Sequence, residues 1–244
     1  MRHLSTLLLL LLFPLLLPTA HAQDSTWLSP DLVVVKLSRH VYQHTSWFEN
    51  EQFGRFPCNG MLVSSHHQAM LFDTAMSDSS TVTLLDFIQN TLGDSLIGFV
   101  PNHYHEDCTE GMDFLPKRTQ VYANKLTLDS LPLRLLRLPV VAFGESMPLV
   151  VGGVPVELAY HGRGHTLDNI VAWVPQERIL FAGCMCKSIR SKTLGWTGDA
   201  DMTEWPKTIE KVYRAYPTAR KVIPGHGAVG GRELLRHTLP LLQK

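Results

Sequence analysis

Short blocks of hydrophobic positions, separated by polar and glycine-containing stretches, recur along most of the chain. They predict strands at 32–37, 41–45, 60–64 and 69–73, the last ending at Asp73 beside Thr74. A helix is predicted over 77–91, with Asp78 as its cap and Val82, Leu85, Phe87 and Ile88 at roughly helical spacing. An apolar strand at 96–101 leads into His103, followed by a short helix at 111–115 and a strand at 120–123. The second half repeats the pattern. Runs at 149–151 and 154–160 flank Gly152-Gly153, and runs at 170–174 and 179–182 flank Pro175-Gln176-Glu177, both hairpin signals. A helix over 201–216 carries Trp205, Ile209, Val212 and Tyr216 on one face, and a strand at 221–224 precedes a terminal helix at 232–242. Mixed elements in two similar halves imply an α/β protein with two sheets face to face and helices outside. No repeat or charged linker divides residues 23–244, which read as a single domain.

The N-terminus follows a different rule. Arg2 and His3 precede an apolar run at 6–17 broken only by Pro14, and Ala20-His21-Ala22 places small residues where a signal peptidase reads. Residues 1–22 therefore read as a secretory signal peptide, with the mature chain starting at Gln23 and acting in the periplasm. The apolar run is too short to span about 30 Å of hydrocarbon. Over the whole chain, 22 Lys+Arg balance 22 Asp+Glu, which gives no attraction toward nucleic acids or anionic membranes. The four cysteines of an exported chain first suggest disulfides, in any of three pairings. Cys184 and Cys186 are too close in sequence to bridge each other comfortably, and two of the four sit inside polar motifs.

The twelve histidines are the compositional outlier, and they cluster. In His103-Tyr104-His105-Glu106-Asp107, an extended backbone would put His103, His105 and Asp107 on one side, a donor set that suits zinc. Gly162-Arg163-Gly164-His165-Thr166 holds a histidine in a glycine-rich turn. Phe181-Ala182-Gly183-Cys184 ends an apolar strand with a thiol, and Ile223-Pro224-Gly225-His226-Gly227 ends another with a histidine. Metal donors at strand ends on tight loops point to a metal centre, where α/β folds place their sites.

These motifs, with Asp168-Asn169 and Lys187 in register behind them, resemble the metallo-β-lactamases, specifically the di-zinc subclass with a cysteine ligand. The resemblance covers nearly all of the mature chain and implies an αββα sandwich with the site at one edge of the sheets. It implies two Zn2+ per chain, one on His103, His105 and His165 and the other on Asp107, Cys184 and His226. The implied activity is hydrolysis of the β-lactam amide of penicillins, cephalosporins and carbapenems by a metal-bound hydroxide, without a covalent acyl-enzyme. Asp107 would orient the nucleophile and help the proton transfer. Lys187 would pair with the carboxylate common to these drugs. The aromatic segment 47–56, with Trp47, Phe48 and Phe53, would form a flap over the substrate. The implied partners are small β-lactams, met by a monomer.

The sequence also departs from the family pattern. Glu110 stands where a glycine is usual, at a cost of roughly 1 kcal/mol if that position needs a positive φ. Trp196 replaces an asparagine that meets the lactam carbonyl, leaving more of that task to the metal. Cys108 occupies the place where thioesterases of this fold carry a histidine ligand. A metallo-hydrolase of thioesters or lactones is the alternative enzyme, and a zinc-storing or substrate-binding module the non-enzymatic one. Cys58 and Cys186 have no assigned role, a Cys58–Cys108 or Cys58–Cys186 bridge being a minor alternative.

Overall fold

A computed structural model describes residues 24–131 and 137–243, so the expected signal peptide at 1–22 lies outside the described residues. Among the described residues, thirteen strands build two sheets. The larger runs in simple chain order: β1 (Ser25–Ser29), β2 (Leu32–Lys36), β3 (Val41–Asn50), β4 (Gly54–Ser65), β5 (Gln68–Phe72), β6 (Ser95–Val100), β7 (Gln120–Asn124) and β8 (Val140–Phe143). Its strands are antiparallel up to β5 and parallel from β5 to β8. The smaller has the order β13-β12-β11-β10-β9, built from β9 (Ser146–Val151), β10 (Val154–Ala159), β11 (Val171–Val174), β12 (Ile179–Gly183) and β13 (Lys221–Pro224). Only β12 and β13 pair in parallel in this sheet.

Period-two alternation divides each sheet into two faces, both buried. Met70 and Phe72 of β5 meet Val156 and Leu158 of β10 and Ile179 and Phe181 of β12 in the layer between the sheets. Leu71 and Leu62 point the other way, onto Leu84, Phe87 and Ile88. On the far side, Leu180 and Ala182 pack against Trp205, Ile209, Val212, Leu234 and Leu235. Helix, sheet, sheet and helix layers follow in that order, which is the expected αββα sandwich.

The helices are α1 (Asp78–Asp86), continuing as a π turn at Phe87–Thr91, α2 (Glu106–Thr109), α3 (Lys125–Ser130), α4 (Trp205–Ala215) and α5 (Glu233–Leu241). Two details of α1 differ from the sequence reading. Ser77, not Asp78, is the cap, because its hydroxyl accepts the Ser80 N–H at 3.3 Å. Val82 is 47% exposed, because the turn set by that cap buries Thr81, Leu84, Phe87 and Ile88 instead. The faces of α4 and both predicted hairpins match, with Gly152 and Gly153 at φ 51° and 86°.

No helix among the described residues is long and apolar enough to cross a membrane.

Candidate metal centre

All six candidate donors follow strand ends at one edge of the sandwich. The loop after β6 is locked between the sheets. Asn102 N donates to Asp73 Oδ1 at 2.6 Å, and its side-chain amide donates to the Ile170 carbonyl at 2.6 Å. That lock fixes His103, which is fully buried. Its Nδ1 sits 3.1 Å from Cys108 Sγ and 3.3 Å from Asn102 Oδ1, and its Nε2 has no hydrogen-bond partner. An orphaned ring nitrogen in a sealed site is costly unless something else binds it.

The following residues do not run extended, in contrast to the sequence reading. His105 is the residue before α2, at φ −65° and ψ 158°, and its carbonyl takes the Thr109 hydroxyl at 2.9 Å. Glu106 and Asp107 then begin a helix, where acidic groups are favoured at the first turn. This bend swings Asp107 away from the histidine cluster. Its Oδ1 stays 3.6 Å from His103 Nε2, while Oδ2 reaches across to the next group. Glu110 lies at φ −53° inside this helical stretch, so no positive-φ penalty arises there. Gly111 is the position that needs a small residue, since a Cβ would stand 2.0 Å from Thr81 Oγ1.

His165 is held by a self-bonded turn in which Asn169 Oδ1 accepts the Thr166 N–H and Asn169 Nδ2 donates to the Gly162 carbonyl. The rings of His103, His105 and His165 are mutually edge-on, with centroids 4.7, 5.0 and 5.1 Å apart. Three imidazoles bound tetrahedrally at 2.0–2.1 Å would place their centroids about 5 Å apart. His105 Nε2 meets Asp199 Oδ2 at 3.0 Å, a contact that holds the ring by one nitrogen and leaves Nδ1 as its candidate donor.

The second group is tighter. Cys184 Sγ is 3.2 Å from Asp107 Oδ2 and 3.3 Å from His226 Nε2, and the carboxylate and imidazole atoms are 3.3 Å apart. A tetrahedral ion with bonds of 2.0–2.3 Å needs edges of about 3.3–3.6 Å, so this near-equilateral triangle fits zinc. His226 Nδ1–H donates to the Pro57 carbonyl at 2.7 Å, which presents Nε2 to the triangle. The parallel β12–β13 pair brings the two loops together, and Gly225 lets them touch: a Cβ there would lie 2.3 Å from Cys184 Sγ.

The protonation pattern follows from burial and charge. Burial lowers His103 to about 4, and burial, with the His103 ring and the Lys187 ammonium nearby, takes His165 well below its usual value. Both rings are therefore neutral at pH 7. Burial works to raise the Asp107 carboxyl, but His226, His103 and Cys184 outweigh it and hold the acid well below its ordinary range. Burial works to lower His226, yet hydrogen bonds to Asp107 and Cys58 bring it up to about 10. Burial and the Asp107 charge push the Cys184 thiol well up.

Around this centre the structure sorts the remaining candidates. Strands β3 and β4 run on through segment 47–56, leaving only a short turn between Asn50 and Gly54. Phe48 pairs across the strands with Phe56, Phe53 packs on Phe56, and Phe56 sets its edge against His226 at 5.8 Å. Trp47 lies across the pleat and stacks on Trp27 at 5.1 Å under Arg55, so the register turns it away from the face expected of it. Lys187 is buried, with Nζ 5.3 Å from the Trp205 ring centroid, the same ring that His165 contacts. Trp196 is 48% exposed and its indole N–H donates to Asp199 Oδ2 at 2.9 Å, on the oxygen that also meets His105.

Sequence reasoning left Asp199, Phe56 and Cys58 without roles. Phe56 lies inside the aromatic segment 47–56 and Asp199 three residues after Trp196, and only the strand register and loop contacts select them. All four cysteines are free and buried, which removes the disulfide alternatives. Four described histidines outside the centre have ordinary partners: His40 with Glu177, His44 with the Asp73 carbonyl, His161 with Tyr216 and His237 with the Ser191 carbonyl.

No protein-family model matches the chain. The chain is 41% identical over 236 residues to a metallo-beta-lactamase type 2 of Bacteroides fragilis, covering 96% of this chain and 95% of that protein. A metallo-beta-lactamase type 2 of Bacillus cereus is 34% identical over 213 residues, covering 86% and 82%. Among solved structures, a metallo-beta-lactamase from Pontibacter korlensis superposes with a TM-score of 0.82 at 36% identity, over 87% of this chain and 99% of that one.

Proposed function

This chain belongs to the metallo-β-lactamase family, and from that premise we propose that it hydrolyses β-lactam amides with two zinc ions. His103, His105 and His165 hold one ion, and Asp107, Cys184 and His226 hold the other. The observation that carries the assignment is the triangle of sulfur, oxygen and nitrogen atoms, with edges of 3.2, 3.3 and 3.3 Å, at the size a zinc ion needs. Zinc in such a centre supplies a water with its pKa lowered toward about 7 and a Lewis acid for the lactam carbonyl.

The chain's own groups do the rest. Asp107 sits between the two clusters as a carboxylate and is placed to orient the attacking water and take up its proton. Lys187 offers a desolvated ammonium beside Cys184 and His165, where a drug carboxylate gains more from it than at an exposed lysine. Phe48, Phe53 and Phe56 form the flap face that excludes water above His226, and Trp196 forms the opposite rim. Cys108 is buried against His103 Nδ1 at 3.1 Å, in the place where a thioesterase of this fold would carry a histidine ligand, and it favours the lactamase reading. The start of the chain supports export to the periplasm after cleavage behind Ala22.

The test is to load the mature chain with zinc and follow nitrocefin and a carbapenem by absorbance, with and without a chelator. Chelator-sensitive hydrolysis and about two zincs per chain are expected. Absence of any chelator-sensitive β-lactam hydrolysis overturns the activity, and a single zinc at saturation overturns the second ligand set.

A further inference from the structure

Cys58 lies on β4 directly after Pro57, the residue whose carbonyl fixes His226. Its side chain is 3% exposed, and the ligand atoms of Cys58, Asp107 and His226 all lie within 4.8 Å of one another. Its thiol is thereby a close neighbour of the His226 imidazole and the Asp107 carboxylate. The strand is anchored to the opposite loop at this point: Asn59 N donates to the Gly225 carbonyl at 2.8 Å and Asn59 Nδ2 to the Pro224 and Gly227 carbonyls. The thiol is thus held beside Asp107 and His226 by the same contacts that position the loop.

We infer that Cys58 is a further thiolate donor to the metal bound by Asp107, Cys184 and His226, giving that ion two sulfurs. The inference rests on the proposed ligand set. On ligation the Cys58 S–H proton passes to solvent as the sulfur–metal bond forms. A two-sulfur set shifts the site toward thiophilic divalent cations, and it closes the fourth position of a tetrahedral ion while substrate is absent.

Cobalt(II) reads this directly, because a thiolate bound to cobalt gives a charge-transfer band whose intensity counts sulfurs. With the mature chain saturated with cobalt, Cys58→Ser should lower the band to about half, one of two thiolates being lost. Cys184→Ser should keep about half, and the double variant should show none. Cys58→Ala serves as a second probe, with circular dichroism confirming that each variant is folded. A full band in both Cys58 variants overturns the inference, as does a Cys184→Ser protein without a band. A band surviving in the double variant would assign the second thiolate to Cys108 and overturns it too. No thiolate band in the parent protein would take down the Asp107–Cys184–His226 site itself, whereas an unchanged band with two cobalts bound takes down only Cys58.

Discussion

Binding of the second ion should release protons that binding of the first does not. At pH 6.5, below the point where zinc-bound water ionises, His226 at about 10 is an imidazolium and must lose a proton before Nε2 can ligate. Three to four pH units of displacement correspond to about 5 kcal/mol. Cys184 adds to this, since a thiol at its ordinary 9.0 would already cost about 3 kcal/mol at that pH and burial raises it further. His103 at about 4 and the depressed His165 are neutral and contribute no such cost. The sign follows: affinity for the second ion falls on acidification, by about 100-fold per pH unit for two linked protons. Below the pH at which Cys184 and His226 ionise, that slope persists, while His103 imposes none until pH approaches 4. Calorimetric zinc titration of the chelated protein, in buffers of different ionisation enthalpy, measures the count. The parent protein should release at least two more protons than the Cys184→Ser/His226→Ala double variant, in which both groups that must lose a proton to hold the second ion are gone. A difference below about one proton would refute the charge pattern derived for His226 and Cys184.

Three other outcomes follow from the packing. Asp199→Ala removes the carboxylate behind His105 and should weaken the three-histidine site 10- to 100-fold, read by competition with a chelator; unchanged affinity would show that His105 needs no such partner. Gly225→Ala forces a Cβ against Cys184 Sγ and should cost about 1–3 kcal/mol of stability together with most of the affinity for the second ion. If both were retained, the loop would be looser than its contacts indicate. Phe181→Ala empties a fully buried place between the sheets and should cost about 3–5 kcal/mol in urea melts of the chelated protein, a loss under about 1 kcal/mol contradicting its central position.

The six candidate donors stand out in the sequence because each closes an apolar strand with a motif flanked by glycine or a second donor. What period-two and helical patterns could not supply was geometry across the fold. His103, His105 and Asp107 were placed on one extended side, yet local capping at His105 turns Asp107 into α2 and divides the donors between two clusters. The aromatic run at 47–56 was visible as a candidate flap, but which rings face His226 depends on the β3–β4 register, which selects Phe56 and rejects Trp47. Cys58 had no signal at all, since its proximity arises from β4 meeting the loop after β13, more than 160 residues away. β1 carries no sequence signal either: it is short, and Trp27 is 60% exposed, so no apolar block marks it.

The parallel pairing of β12 with β13 carries a consequence for folding kinetics. Asp107 and Cys184 are 77 residues apart in sequence, and Cys184 and His226 are 42 apart. Their atoms converge only after the smaller sheet has closed its last crossover through α4 and docked on the larger one. Such non-local closure comes late, so a half-folded chain presents no triangle to an ion. Metal capture at this edge therefore acts on the finished protein: it slows unfolding far more than it speeds folding, and a chain loaded with zinc outlasts a stripped one under proteolysis.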